Sequence, residues 1–339
     1  MRKPVFWALD FGDESVIAAA AEEKGPNEWK FLGGGEARAR GVRNGEIEKL
    51  TDAVESVVEA VREAEKSSRR HCRTLYYNFD DAQMRSVHPR GTKSLAGEGQ
   101  ISRFDVREAA QNAIRLVGDF EWTPVYSREI NYVIDDKDSV GNPLGVFGQR
   151  LDVVLHVLLA RSSHLEQWKK LIARAGIERG VPVPSLVSVC RGLEKRSPRQ
   201  ILWDLGRDLI SGGVVEKNAL LEYAVFLKGS LSGADLGERL AASSRLCAER
   251  HHILEPLVLT GDLTAQSVSF QKISASIGTK TNLASPKGFS DPAERMYASA
   301  AGLFGVAEAS QKNRRSSHAN KDLVVQVRER ASALMQEYF

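Results

Sequence analysis

Only three cysteines, Cys72, Cys190 and Cys247, occur in 339 residues, and no two have CxxC spacing. That excludes a disulfide framework and points to a reducing compartment. Long apolar runs are missing as well. The longest, 151–160, is interrupted by Asp152 and His156 and falls far short of the ~20 residues a membrane-spanning helix needs. Only six residues separate Lys3 from Asp10, too few for the apolar core of a secretory signal, so the sequence predicts a cytoplasmic protein whose membrane contact is at most peripheral. Nor does charge of one sign accumulate: 47 Lys and Arg against 44 Asp and Glu leave +3, too slight a surplus to argue for a nucleic-acid partner. No Ser-His-Asp set is present, so no catalytic residue is assigned. Cys247 and His251 stand four apart beside His252, the spacing of a shared zinc, but two ligands do not make a site and no metal is expected.

What is present is a globular composition, 42% apolar and 27% charged, on a chain long enough for about two ordinary domains. Residues 4–10 read as a buried strand ending in Asp10. Gly12 follows, and 16–21 supplies a second strand, making a hairpin around 12–15. Ile47, Leu50, Val54, Val57, Val58, Val61 and Ala64 recur at three and four, which predicts an amphipathic helix over 47–66, with Thr51 and Asp52 as an alternative start. Residues 76–82 are strand-like and 104–117 helical, and a Gly- and Asp-rich loop over 135–148 feeds a strand over 151–159. After Pro198 the opening pattern returns. A strand over 201–204 ends in Asp204 with Gly206 beyond it, and strands at 212–215 and 220–226 follow. A further strand, 257–260, ends in Thr260 and Gly261, and small residues predict a helix over 293–309. Alternating strands and helices favour an α/β class. Residues 310–322 carry Lys312, Arg314, Arg315 and Lys321 without large apolar side chains, which predicts a flexible basic linker. Leu323, Val324, Val327, Ala331, Leu334, Met335, Tyr338 and Phe339 then form the apolar side of an amphipathic helix over 323–339.

Two strand-acid-glycine turns, at Asp10 and Asp204, with a third strand ending in Thr260 and Gly261, match the layout of the actin and Hsp70 nucleotide-binding fold. Residues 41–47, GVRNGEI, resemble the bacterial cell-division protein FtsA. Residues 132–157, YVIDDKDSVGNPLGVFGQRLDVVLHV, resemble the subdomain inserted in that family. LIARAG at 171–176, DLGERL at 235–240, LVLTG at 257–261 and YASAAGLF at 297–304 carry the resemblance over nearly the whole chain. It implies an actin-like α/β fold. Residues 1–79 and 164–199, joined by the helix at 293–309, would form a first subdomain. Residues 80–163 would be the insertion, and 200–292 a shortened second subdomain, because 243–256 pass directly to the LVLTG strand where the family has an outer subdomain.

The resemblance also implies nucleotide-binding positions at Asp10, Gly12, Asp204, Gly206, Thr260 and Gly261, and each loop around them departs from the family. Asp13 and Glu14 replace a hydroxyl residue in the first loop. At an effective dielectric near 20, two unit charges about 4 Å apart repel by about 4 kcal/mol, enough to remove much of a micromolar affinity. Arg207, Asp208 and Leu209 replace the glycines and threonines of the second loop, and Asp262 follows Gly261. The expectation is therefore a pseudo-ATPase with no cofactor, acting as a cell-division adaptor at the inner face of the membrane. FtsA proteins end in a membrane-targeting helix, which assigns lipid contact to the apolar residues of 323–339. Further copies of itself, FtsZ and other division proteins are the expected partners. The alternatives are a filament-forming ATPase that binds ATP and magnesium, and a pilus or secretion actin homologue of the PilM kind.

Overall fold

The computed structural model describes residues 4–316, apart from 26–27, 138, 193–198, 218, 230, 254–256, 262, 264–266, 278–280 and 284–297. The fold separates into two compact units, one of Met1–Ala82 with His164–Ala309 and the other containing Gln83–Ser163.

The first unit opens with β1 (Val5–Phe11), whose residues 6–9 are all buried, followed by the alanine-rich β2 (Ser15–Gly25) and β3 (Glu28–Arg38). Next, β4 (Val42–Arg43) and β5 (Glu46–Ile47) form a small hairpin, and α1 (Leu50–Ser68) packs on β2 and β3. The predicted helix over 47–66 thus starts three residues late. Asn44 and Gly45 both take positive φ, 52° and 78°, the conformation that closes a two-residue hairpin, so Ile47 pairs with Val42 rather than beginning the helix. From Leu50 onward the period of 3.6 prevails, burying Ala53, Val57, Ala60, Val61 and Ala64. The strand β6 (Thr74–Phe79) follows.

The inserted unit contains β7 (Arg85–Val87), β8 (Arg90–Gln100), α2 (Arg103–Arg115), β9 (Trp122–Ile134), β10 (Ser139–Val140) and β11 (Phe147–Arg161). Ser102 and Asp105 set the start of α2 through a reciprocal capping box. The sheet runs β10-β9-β11-β7, with β8 also paired to β11, and α2 covers it over a core of Ala109, Ala113, Trp122, Leu151, Val153 and Leu155. The loop expected over 135–148 is shorter than predicted, because Ser139 and Val140 pair with Val133 and Tyr132 and β11 already begins at Phe147.

The chain re-enters the first unit through α3 (Ser162–Arg174), β12 (Arg179–Pro184) and α4 (Ser185–Gly192). Its second half comprises β13 (Arg199–Leu205), β14 (Leu209–Glu216), β15 (Ala219–Leu227), α5 (Gly233–His251), β16 (Leu257–Thr260), α6 (Ser267–Ile277), β17 (Thr281–Leu283) and α7 (Ala298–Ser316). The two sheets repeat one order, β12-β6-β1-β2-β3 and β17-β16-β13-β14-β15. In each, three antiparallel strands are joined by two parallel ones. This duplicated α/β architecture is the actin-like fold. Only residues 252–256 lie between α5 and β16, too few for a further subdomain at that point.

Of the helix predicted over 293–309, residues 293–297 lie outside the described residues, and the helix continues to Ser316. Residues 310–316 are therefore helix and not linker: Gln311, Lys312, Arg314 and Arg315 are good helix formers, and neither Gly nor Pro interrupts them. Residues 323–339, with Leu323, Val324, Val327, Ala331, Leu334, Met335, Tyr338 and Phe339, lie outside the described residues. Among the described residues, no helix is long and apolar enough to cross a membrane.

Candidate functional site at the facing hairpin turns

In both meanders of the first unit the next-to-last residue of the leading strand is an acid, so the strand runs one position beyond the end expected at Asp10 and Asp204, and a turn follows. In the first, Asp10 pairs in register with Ile17, and the turn closes with Gly12 N–H donating to Ser15 O at 3.0 Å. Asn78 on β6 holds this turn. Its Nδ2 donates to Asp10 Oδ1, while its Oδ1 accepts from Phe11 N–H at 2.6 Å. In the second, Asp204 pairs with Ser211 on β14 and lies beside Thr260 on β16. Gly261 takes φ of +92°, and a Cβ there would stand 2.5 Å from Asp204 Oδ1 and 2.6 Å from Leu205 N, so only glycine lets the end of β16 lie against this turn. Asp204, Gly206, Thr260 and Gly261 thus share one edge, and Asp10 and Gly12 share the other. Asp262 lies outside the described residues.

The turns touch through residues that the family comparison marked as departures. Asp13 Oδ2 accepts from the backbone N–H of Arg207 at 2.7 Å and of Asp208 at 3.4 Å. Glu14 pairs with the Arg207 guanidinium. Burial raises the Asp13 carboxyl above its ordinary range, and the two N–H bonds oppose that rise without cancelling it.

Behind the turns stand acids that the sequence reading passed over. Asp80, at the end of β6, has its Oδ1 buried without a hydrogen-bond partner. Burial pushes its carboxyl up to about 6 against the lowering effect of the Ser185 hydroxyl, and the charges of Asp13, Asp10 and Asp81 add to the rise. Tyr223 on β15 is buried with an unpartnered hydroxyl. Burial, then the charges of Asp80, Asp81 and Asp204, push that phenol well above its usual range. A signal for Asp80 and Asp81 did exist, since they close the strand-like stretch 76–82 as Asp10 and Asp204 close theirs. Nothing local marks Tyr223.

The N–H groups of the β13–β14 turn that would meet phosphate are taken by Asp13, Arg207 is paired to Glu14, and Asp10, Asp80, Asp204 and Asp208 add negative charge. The Cys247 and His251 pair is used otherwise as well. His251 Nε2 meets Glu222 Oε2 at 2.7 Å, and burial raises the Cys247 thiol to about 11.

In the inserted unit, the polar residues that interrupted the apolar run 151–160 are satisfied internally. Buried Asp152 is held by Arg90 at 2.6 Å, by Arg150 at 3.2 Å and by Thr92, and these contacts hold its carboxyl low despite burial. His156 meets Ser86 Oγ at 2.9 Å and stacks on His88. The surface of this unit carries large apolar side chains. Phe104 and Phe147 are more than 60% exposed, and the loop carrying Leu144 and Val146 is tied to Ile101 by two backbone hydrogen bonds near the start of α2.

Comparison with known proteins bears on the insertion and the fold. Residues 82–159 match the SHS2 domain inserted in FtsA. Cell division protein FtsA of Neisseria meningitidis serogroup B is 25% identical over 172 residues, covering 50% of this chain and 41% of that protein. FtsA of Rhizobium meliloti is 30% identical over 185 residues, covering 51% and 41%. The match spans about two fifths of the length of these curated relatives. Among solved structures, the PilM-PilN type IV pilus biogenesis complex superposes with a TM-score of 0.58 at 13% identity, covering 91% of this chain and 99% of that one. Ethanolamine utilization protein EutJ from Carboxydothermus hydrogenoformans superposes with 0.51 at 11%, covering 89% and 90%. At such identities the likeness is one of fold. The chain is thus similar to FtsA in sequence, actin-like in fold, and carries an insertion of the FtsA kind.

Proposed function

We propose that this FtsA-like chain is a nucleotide-independent adaptor of bacterial cell division, a scaffold and not an enzyme, working at the inner face of the cytoplasmic membrane. The observation that carries the reading is the Asp13 carboxylate seated on the Arg207 and Asp208 amides of an FtsA-like, actin-fold body. Lipid contact is assigned to the terminal amphipathic segment, 323–339, with Arg314, Arg315 and Lys321 ahead of it to meet anionic headgroups. One such helix binds weakly, so several copies must act together. The exposed Phe104 and Phe147 of the inserted unit supply apolar surface for self-association. FtsZ and other division proteins are the proposed cytoplasmic partners, on the strength of the similarity to FtsA.

Calorimetry with magnesium-ATP tests the central point. No binding is expected at physiological nucleotide concentration, and a dissociation constant in the low micromolar range or better would favour the ATPase reading instead. One observation speaks for that second reading: Asp80 Oδ1 and Tyr223 Oη are buried without partners, and a hydrated cation could satisfy both. The fold likeness to the PilM-PilN complex leaves a pilus role as the third reading.

A further inference from the structure

We propose that Asp13 is a built-in anion that occupies the amide pair of the β13–β14 turn in place of an external phosphate group and, with the Glu14–Arg207 ion pair, latches the two halves of the first unit together with no ligand bound. The inference rests on the nucleotide-independent reading and supplies its physical cause.

Two successive backbone N–H groups, those of Arg207 and Asp208, converge on the single oxygen Asp13 Oδ2. That is the geometry of a backbone nest for anions. Gly206 belongs to it. A Cβ there would stand 2.7 Å from Leu209 O and 3.3 Å from Asp13 Oδ2, so the absence of a side chain lets the carboxylate approach. The acceptor is aimed by its own turn, which is closed by Gly12 N–H to Ser15 O and anchored to β3 by Ala39 N–H donating to Glu14 O at 2.9 Å. Arg207 is gripped twice, its N–H by Asp13 and its guanidinium by Glu14. Donor and acceptor lie 194 residues apart in the chain, in turns that join strands of the two repeated sheets. A bond of that span ties the halves rather than ordering a local turn. Carboxylate-to-amide bonds are charge-assisted, and the ion pair beside them lies at the exposed rim of the same contact.

The test is amide hydrogen exchange on the full chain. In Asp13→Ala the N–H groups of Arg207 and Asp208 should exchange at least tenfold faster than in the wild type, and millimolar inorganic phosphate should slow them again in the variant only. Asp13→Asn keeps an acceptor oxygen without the charge and should give a several-fold increase, so the proposal stays testable if the alanine variant folds poorly. Unchanged exchange in a folded variant, failure of phosphate to slow exchange in Asp13→Ala, or an equal response of the wild type to phosphate would each overturn the latch. Magnesium-ATP added to the wild type is a separate arm. Tight binding there would sink the nucleotide-independent reading, while the exchange of these two amides alone decides whether Asp13 is the internal anion.

Discussion

Asp80 shows how far a single side chain can be shifted by its setting. An ordinary aspartate gives up its proton near pH 3.8, whereas burial lets Asp80 keep it to about 6. Between those values the folded chain binds more protons than the unfolded one, so this residue makes stability fall as pH rises from about 4 to about 6, after which the cost is constant. Asp80→Asn removes that cost. The variant should be more stable than the wild type by about 2–3 kcal/mol at pH 7, with most of that difference gone near pH 4. Urea unfolding of both proteins at several pH values checks this, and a difference that does not change with pH would refute it. The residue was legible only in part. Its position, an acid closing a strand, can be read from the sequence, but its proton affinity arises first from burial and then from the charges of Asp13, Asp10 and Asp81, which no linear spacing reports.

At the scale of elements, α1 lies on β3 through glycine. A Cβ at Gly35 would stand 2.3 Å from Ala60 O and 2.6 Å from Ala64 N, both helix backbone and unable to move aside cheaply. Gly35→Val should therefore cost at least about 2 kcal/mol and lower Tm by about 4–8 °C, read by calorimetric melting. The same helix shows what decides between its two possible starts: Ile47 has the right period but belongs to the hairpin closed by Asn44 and Gly45, so the helix begins at Leu50, next to Thr51 and Asp52. The terminal segment carries the opposite expectation. Removing 322–339 should abolish sedimentation with anionic vesicles and leave Tm unchanged, because its apolar side chains are assigned to lipid. A drop of several degrees in the truncated protein, with an intact chain that never sediments, would make that segment a packing element instead.

For the whole molecule, the decisive feature is an inserted unit with its own sheet, helix and core between two strands of another sheet. Such a unit can be removed without cutting the host core. Replacing residues 83–163 with a short linker should leave a folded monomer whose vesicle binding falls steeply on dilution, since avidity depends on copies held together. Light scattering and co-sedimentation across a concentration series measure this. Binding equal to that of the intact chain at every concentration would remove the insertion from the assembly contact.

The sequence by itself determined the strands that carry Asp10, Asp204 and Thr260 at or next to their ends, the α/β alternation and the similarity of 132–157 to an FtsA-type insertion. Each is a local pattern of periodicity, turn residues or motif, set by neighbours within a few positions. It also marked Asp13, Glu14 and Arg207 as wrong for a phosphate loop. Only the tertiary structure decided what these residues do. Asp13 and Arg207 meet across 194 positions because two separate meanders place their turns face to face. Likewise, Asp152 and His156, which looked like interruptions of an apolar strand, are satisfied by Arg90, Arg150 and Ser86 from elsewhere in the inserted unit. Pairing between distant chain segments is fixed by packing and by the need to satisfy buried polar groups, and neither leaves a local trace in the order of residues.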